Sequence, residues 1–158
     1  MTPSLADSAL LVAVLAAGRG SRFGGDKLDA PCAGQPLGRW ALDAVLEAGL
    51  PPGLIVTGLD IPQFAREAKD WTILPNTQSE TGLASSLACA ARHAQAKRAP
   101  ALLVLLADMP LVPGRFLRDM AASRAPAATT YPGGRPGVPA LLPAYLFEGV
   151  ASLKGDRG

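Results

Sequence analysis

Four glycines, Gly18, Gly20, Gly24 and Gly25, alternate with Arg19, Arg22 and Lys27 in the string LAAGRGSRFGGDK. Glycine backbone can adopt positive φ and approach a ligand closely, so such a loop can turn its amide N–H groups toward anionic oxygens. Arginine adds a planar fork of donors and lysine a compact point charge, a pairing suited to phosphate. Two common phosphate loops do not fit. The GxGxxG fingerprint meets Phe23 at its last glycine, and a Walker A loop would need Lys-Ser/Thr where the chain has Asp26, Lys27 and Leu28. The hydroxyl that a Walker loop offers to Mg²⁺ is therefore missing, and on glycine spacing alone a turn without a ligand remains an open reading.

The second chemical feature is Asp108, which follows ALLVLLA, the most hydrophobic stretch of the chain. One carboxylate at a strand end suits Mg²⁺, which prefers few carboxylates together with substrate phosphates and water. A turn cap ahead of Pro110 is the competing role. The single histidine, His93, falls in mid-helix without a recognisable partner and reads as a surface or packing residue. Cys32 and Cys89 have neither a CxxC partner nor metal-ligand spacing, which argues for reduced thiols and a cytoplasmic setting rather than a disulfide framework.

The elements that must position these groups follow from apolar patterning. Leu10 to Leu15 is a short continuous run, as expected of a strand buried on both faces, and it delivers the chain into the glycine loop. Pro36 is placed to open a helix whose apolar positions, Leu37, Trp40, Ala41, Ala44, Val45 and Ala48, recur at helical spacing until Gly49 and Pro51. Strands are expected at Leu54 to Thr57 and Trp71 to Leu74, with a short helix at Pro62 to Lys69 between them. An Ala-rich helix runs from Gly82 to about Arg98, with Thr81 or Ser79 as candidate caps. Ala101 to Ala107 is the central strand, with Asp108 at its C-terminal edge. Phe116, Leu117 and Met120 mark a further helix, Ala127 to Tyr131 a strand, PGGRPG a loop, Val138 to Leu142 a strand, and a short helical piece precedes KGDRG.

Strands alternating with helices in this way predict an α/β fold with a mostly parallel sheet covered by helices on both faces, and ligands at the strand C-termini. Both the glycine loop and Asp108 occupy such ends, so the topology can bring them together.

Beyond its glycines, LAAGRGSRFGGDKL resembles the signature of the MobA-like nucleotidyltransferases, approximately LA(A/G)GxSxRMGxxK after the first strand. The resemblance continues in family order. TGLASSL (Thr81 to Leu87) is similar to GMSSSL, LADMPLV (Leu106 to Val112) to the metal-binding turn, GVPALL (Gly137 to Leu142) to GxPVLF, and KGDRG to a GDxGAR loop. Gly20, Phe23, Ala84 and Leu142 depart from the usual serine, methionine, serine and phenylalanine.

The resemblance implies a Rossmann-like three-layer α/β/α sandwich of the nucleotide-diphospho-sugar transferase type. Its implied roles place Leu15, Ala16, Ala17 and Gly18 against the base and ribose, with Gly20 a further nucleotide contact of the loop and Gly82, Ser85 and Ser86 lining the nucleoside. Arg22 and Lys27 would hold the triphosphate, and Asp108 would bind Mg²⁺. The implied reaction is nucleotidyl transfer onto a phosphate, with release of pyrophosphate. Within the family, LAAG in place of LAGG, together with GDRG, resembles the branch that transfers a cytidylyl group from CTP to molybdopterin, the molybdenum cofactor. A GTP-dependent guanylyl transfer, a sugar-phosphate nucleotidyltransferase, and a non-catalytic nucleotide-binding module serving a molybdoenzyme are the alternatives. Relatives usually continue to an acidic DxDTPED segment, so residues 1–158 are expected to be a single domain lacking its C-terminal segment.

Composition agrees with one globular domain: 158 residues with 49% hydrophobic and 18% charged side chains are far from the profile of disorder. The net charge of +2 is too small for a nucleic-acid surface, and Arg115, Arg118, Arg124 and Arg135 read as solvated. The N-terminal stretch lacks a basic n-region and a cleavage site, so no signal peptide is expected. No apolar run approaches the roughly 20 residues that a helix needs to cross a bilayer, so no membrane partner is expected.

Overall fold

The computed structural model describes residues 10–17, 27–78 and 82–153. The first strand, β1 (Leu11–Ala16), is buried on both faces by strict alternation. Val12, Val14 and Ala16 enter one hydrophobic cluster, while Ala13 and Leu15 enter the other. A lysine-bearing 3-10 turn (Lys27–Asp29) leads into a small hairpin, β2 (Pro31–Cys32) and β3 (Gln35–Pro36), followed by α1 (Leu37–Glu47). Then come β4 (Leu54–Thr57), α2 (Gln63–Glu67), β5 (Thr72–Pro75), α3 (Leu83–Ala96) and β6 (Ala101–Leu106). The remainder is α4 (Gly114–Ala122), β7 (Ala127–Tyr131), β8 (Arg135–Pro143) and α5 (Phe147–Ala151).

The six-stranded sheet has the order β5-β4-β1-β6-β8-β7. Its first four strands are parallel, with Ala13 opposite Leu54 and Leu11 opposite Leu102. β8 runs antiparallel to both β6 and β7. The chain builds outward from β1 to β4 and β5, then returns to place β6 on the other side of β1. This reversal opens a crevice beyond the carboxyl ends of β1 and β6. Helices α1, α2 and α4 cover one face through Leu42, Val45, Phe64 and Leu117; α3 and α5 cover the other through Leu87, Ala90, Ala94 and Phe147. The expected α/β sandwich with a mostly parallel sheet is the fold observed.

Two segments depart from the expectation. The hairpin β2–β3 replaces plain loop, because Ala33 and Gly34 take φ of 49° and 95°, the paired positive values of a type I′ turn. The segment expected as a PGGRPG loop is half strand: 132–134 turn, on Gly133 and Gly134 with positive φ, and Arg135–Gly137 pair with β7. Arg118 is exposed as expected, yet its guanidinium donates to the carbonyls of Glu47 and Ala48 at 3.2 and 3.3 Å, closing the C-terminus of α1 from the neighbouring helix. Among the described residues no helix is long and apolar enough to cross a membrane.

The β1–β4 junction leaves no room for a side chain at Gly53, where an added Cβ would lie 2.1 Å from the Val12 carbonyl oxygen. Backbone rather than a flexible side chain must then move. Gly53→Ala is expected to destabilise the protein by about 1–3 kcal/mol in urea unfolding, whereas Gly149→Ala in α5, with open space around it, should be stabilising by about 0.5–1 kcal/mol.

Candidate active site

Four parallel strands end in one row. β1 delivers Ala17, β4 delivers Gly58, β5 delivers Asn76, and β6 delivers Ala107 and Asp108. The amide of Ala107 donates to the Leu15 carbonyl at 2.9 Å, which holds the β6 exit against β1 one residue before the aspartate. Across the crevice, Lys27 Nζ lies 3.6 Å from Asp108 Oδ2, joining residues that the sequence separates by most of two βαβ units. Their side chains are 50% and 41% exposed. An ion pair in that much solvent contributes little to stability and opens readily, so each partner is free to exchange the other for a ligand of the same charge. Among the described residues Asp108 caps no turn, and its carboxylate faces the lysine.

Leu15 and Ala16 lie at the end of β1 with their side chains buried in opposite cores, 5% and 6% exposed. Only their backbone faces the crevice edge, whereas Ala17 lies just past the strand and is half-buried. Gly82 is the N-cap of α3 at φ 107°, ψ −172°, a conformation open in practice to glycine alone. That position was expected for Thr81 or Ser79, which, like Gly18, Gly20, Arg22 and the KGDRG segment, lie outside the described residues.

Ser85 and Ser86, in the first turn of α3, are 8% and 3% exposed and are joined by Asn76, a residue that motif reading passes over. Asn76 Nδ2 donates to Ser85 Oγ at 3.0 Å and to Ser86 Oγ at 3.1 Å, and its Oδ1 accepts from the Gln78 amide at 3.0 Å. Its own amide donates to the Thr57 carbonyl at 2.7 Å. Ser85 Oγ is also directed at the carbonyls of Gln78 and Gly82, each at 2.9 Å. The two hydroxyls are thus held in a buried network that fixes the N-terminus of α3 to the end of β5. A buried asparagine after a short strand was the available signal, since such an amide must find partners.

Among the described residues no three His, Cys, Asp or Glu side chains gather as a metal cluster. A divalent ion here would rest on Asp108 plus oxygens from substrate and water, the ligand set Mg²⁺ accepts. Burial, with a smaller contribution from Lys97, pushes the His93 pKa below its ordinary value, so the imidazole is neutral at pH 7. Burial raises the Cys89 pKa despite Arg92, which disfavours the thiolate. Beyond Asp108, Met109, Leu111, Phe116 and Tyr131 line an open apolar groove of about 440 Å³.

The MobA-like NTP transferase domain matches residues 12–158. The chain belongs to this family. Purine catabolism protein PucB of Bacillus subtilis is 28% identical to it, over 94% of this chain and 78% of that protein. Among solved structures, Rv0371c of Mycobacterium tuberculosis superposes with a TM-score of 0.72 at 25% identity, covering 96% of this chain and 80% of that one. A manganese complex of Rv0371c gives a TM-score of 0.70 at 22% identity, over 94% and 78% of the two chains. A nucleotidyl transferase from Methanothermobacter thermautotroptrophicus gives 0.69 at 25% identity, with coverage of 92% and 76%. The sheet order agrees with a ligand-binding α/β fold: the crevice between β1 and β6 is the switch point at which open sheets of this kind bind ligands.

Asn76→Ala strands the buried Ser86 hydroxyl, so a loss of about 1–3 kcal/mol is expected in urea denaturation. The double variant Asn76→Ala/Ser86→Ala, which removes both partners, should recover part of that loss.

Proposed function

We propose that the chain transfers a cytidylyl group from CTP to the terminal phosphate of molybdopterin, the molybdenum cofactor, with release of pyrophosphate and with Mg²⁺ as the divalent ion. The observation that carries the reading is the meeting of Lys27 with Asp108 at the mouth of the β1–β6 crevice. A solvent-exposed cation and anion in contact hold each other's place until a nucleotide and its metal arrive.

In this reading Lys27 and Arg22 take the triphosphate, the amide of Gly20 supplements them, and Gly18 stays with the nucleoside. Asp108 would hold the ion, and a divalent ion there would supply charge neutralisation for the leaving pyrophosphate. The manganese complex of Rv0371c supports use of a divalent metal. An oxygen of the acceptor phosphate attacks the α-phosphorus, the bond from the α-phosphorus to the bridging oxygen breaks, and pyrophosphate departs with its charge held by Lys27 and Arg22. A phosphate monoester is already largely anionic near neutral pH, so alignment and charge neutralisation replace a general base. The place of His93 in the last turn of α3, at the end of the helix away from Gly82, fits this chemistry.

The nucleoside lies along Leu15, Ala16 and Ala17, met by backbone at the first two and by the methyl group of Ala17. That extra methyl, where the guanylyl branch has glycine, favours a pyrimidine over a purine. Gly82 brings the α3 N-terminus to the nucleoside, and Ser85 and Ser86 keep that end in register through Asn76. Free Cys32 and Cys89 agree with a reducing, cytoplasmic setting.

Pyrophosphate release with CTP, Mg²⁺ and molybdopterin is expected to exceed that with GTP. Turnover with GTP at an equal or higher rate would reassign the base. Asp108→Ala is expected to reduce turnover by at least about a hundredfold while leaving the unfolding midpoint within a degree or two of the parent, because the pair it breaks is exposed.

A further inference from the structure

Lys27 is held in place from an unexpected direction. The residue two positions on, Asp29, reaches across the fold to α2: its Oδ2 accepts the Gln63 amide and its Oδ1 the Phe64 amide, both at 2.8 Å. These amides need an outside acceptor, because the N-cap of α2 is Pro62, which offers no side-chain hydrogen bond. The anchor point is itself rigid. Phe64 is 3% exposed and lies so close above α1 that a Cβ on Gly38 would come within 2.5 Å of its ring. On the loop side, Leu28 packs against the same hydrophobic cluster, the Ala30 amide donates to the Lys27 carbonyl at 3.2 Å, and the Leu37 amide donates to the Ala30 carbonyl at 3.0 Å. The path from α1 through Phe64 and Asp29 ends at Lys27, opposite Asp108.

We infer that Asp29 is a positioning residue: by tying the 3-10 turn to the N-terminus of α2, it sets Lys27 at the height where its ammonium can meet a triphosphate held at Asp108. This rests on the reading of Lys27 as a triphosphate ligand. A carboxylate that accepts one charge-assisted bond on each oxygen fixes both the distance and the rotation of the turn. Without it, the lysine keeps its charge and loses its place, and a displacement of about 1 Å in a positioning group is enough to cost up to a hundredfold.

The test is calorimetric titration of the full chain with CTP in the presence of Mg²⁺, together with the urea midpoint of each variant, for Lys27→Ala, Asp29→Ala, Asp29→Asn and Gln63→Pro. Gln63→Pro removes one of the two donors from the far side and leaves Asp29 untouched. Proline is suited to the first helical position, and Pro62 already has the extended backbone (ψ 149°) that must precede it. Asp29→Ala is expected to weaken CTP binding about tenfold or more, at a urea concentration where every variant is folded. Asp29→Asn, which keeps one acceptor oxygen, should recover part of the loss, and Gln63→Pro should reproduce part of it. If Lys27→Ala weakens CTP binding while Asp29→Ala and Gln63→Pro only lower the midpoint, Asp29 is merely structural and the inference is overturned. If Lys27→Ala leaves CTP binding unchanged, the triphosphate role of Lys27 falls, and the inference with it.

Discussion

The return of the chain to the far side of β1 is the constraint on which everything else depends. β1 is hydrogen-bonded to β4 on one edge and to β6 on the other, so its carboxyl end and that of β6 must lie side by side. No local preference of the glycine loop or of Asp108 produces that adjacency. It follows from burial of β1, whose even- and odd-numbered side chains feed separate cores above and below the sheet. A strand with both faces covered belongs at the centre of a parallel sheet, and its carboxyl end becomes the crevice.

Around that crevice the protein combines rigid supports with a loosely held pair of charges. Asn76 and the two serines of α3 are buried and hydrogen-bonded to one another, and the carboxylate of Asp29 is spent on two backbone amides. Lys27 and Asp108 meet in solvent. Buried polar networks are costly to disturb, whereas an exposed ion pair is cheap to open. The arrangement therefore supports Lys27 and Asp108 without committing them to each other. It suits a site whose natural occupants are a polyanion and a cation.

Much of this was legible in the chain, and the limits have physical causes. β1, β6 and α3 are plain because long apolar runs and a 3.6-residue period leave few alternatives, and the order of motifs already implied the MobA-like family. The hairpin at Pro31–Pro36 was not legible: its turn uses Ala33–Gly34, and alanine at positive φ sends no compositional signal. The lower part of β8 was hidden by prolines and glycines, which read as loop even where an edge hairpin accommodates them. Ser85 and Ser86 were visible as types, but their hydrogen bonding was not, because Asn76 belongs to another element. Asp29 was invisible for the same reason: its partners lie 34 and 35 residues away, and no local spacing encodes a tertiary cap. Lys27 was recognisable by its place in the glycine loop and Asp108 by its place at a strand end, while their contact required the fold.

If the lysine and aspartate stand in for a metal and a triphosphate, those two ligands must bind as a coupled pair. Paramagnetic titration of Mn²⁺ with and without CTP measures the coupling directly. Each ligand should tighten the binding of the other, and Asp108→Asn should abolish the mutual effect. Binding of Mn²⁺ and CTP with no influence on each other, or coupling that survives Asp108→Asn, would contradict the account.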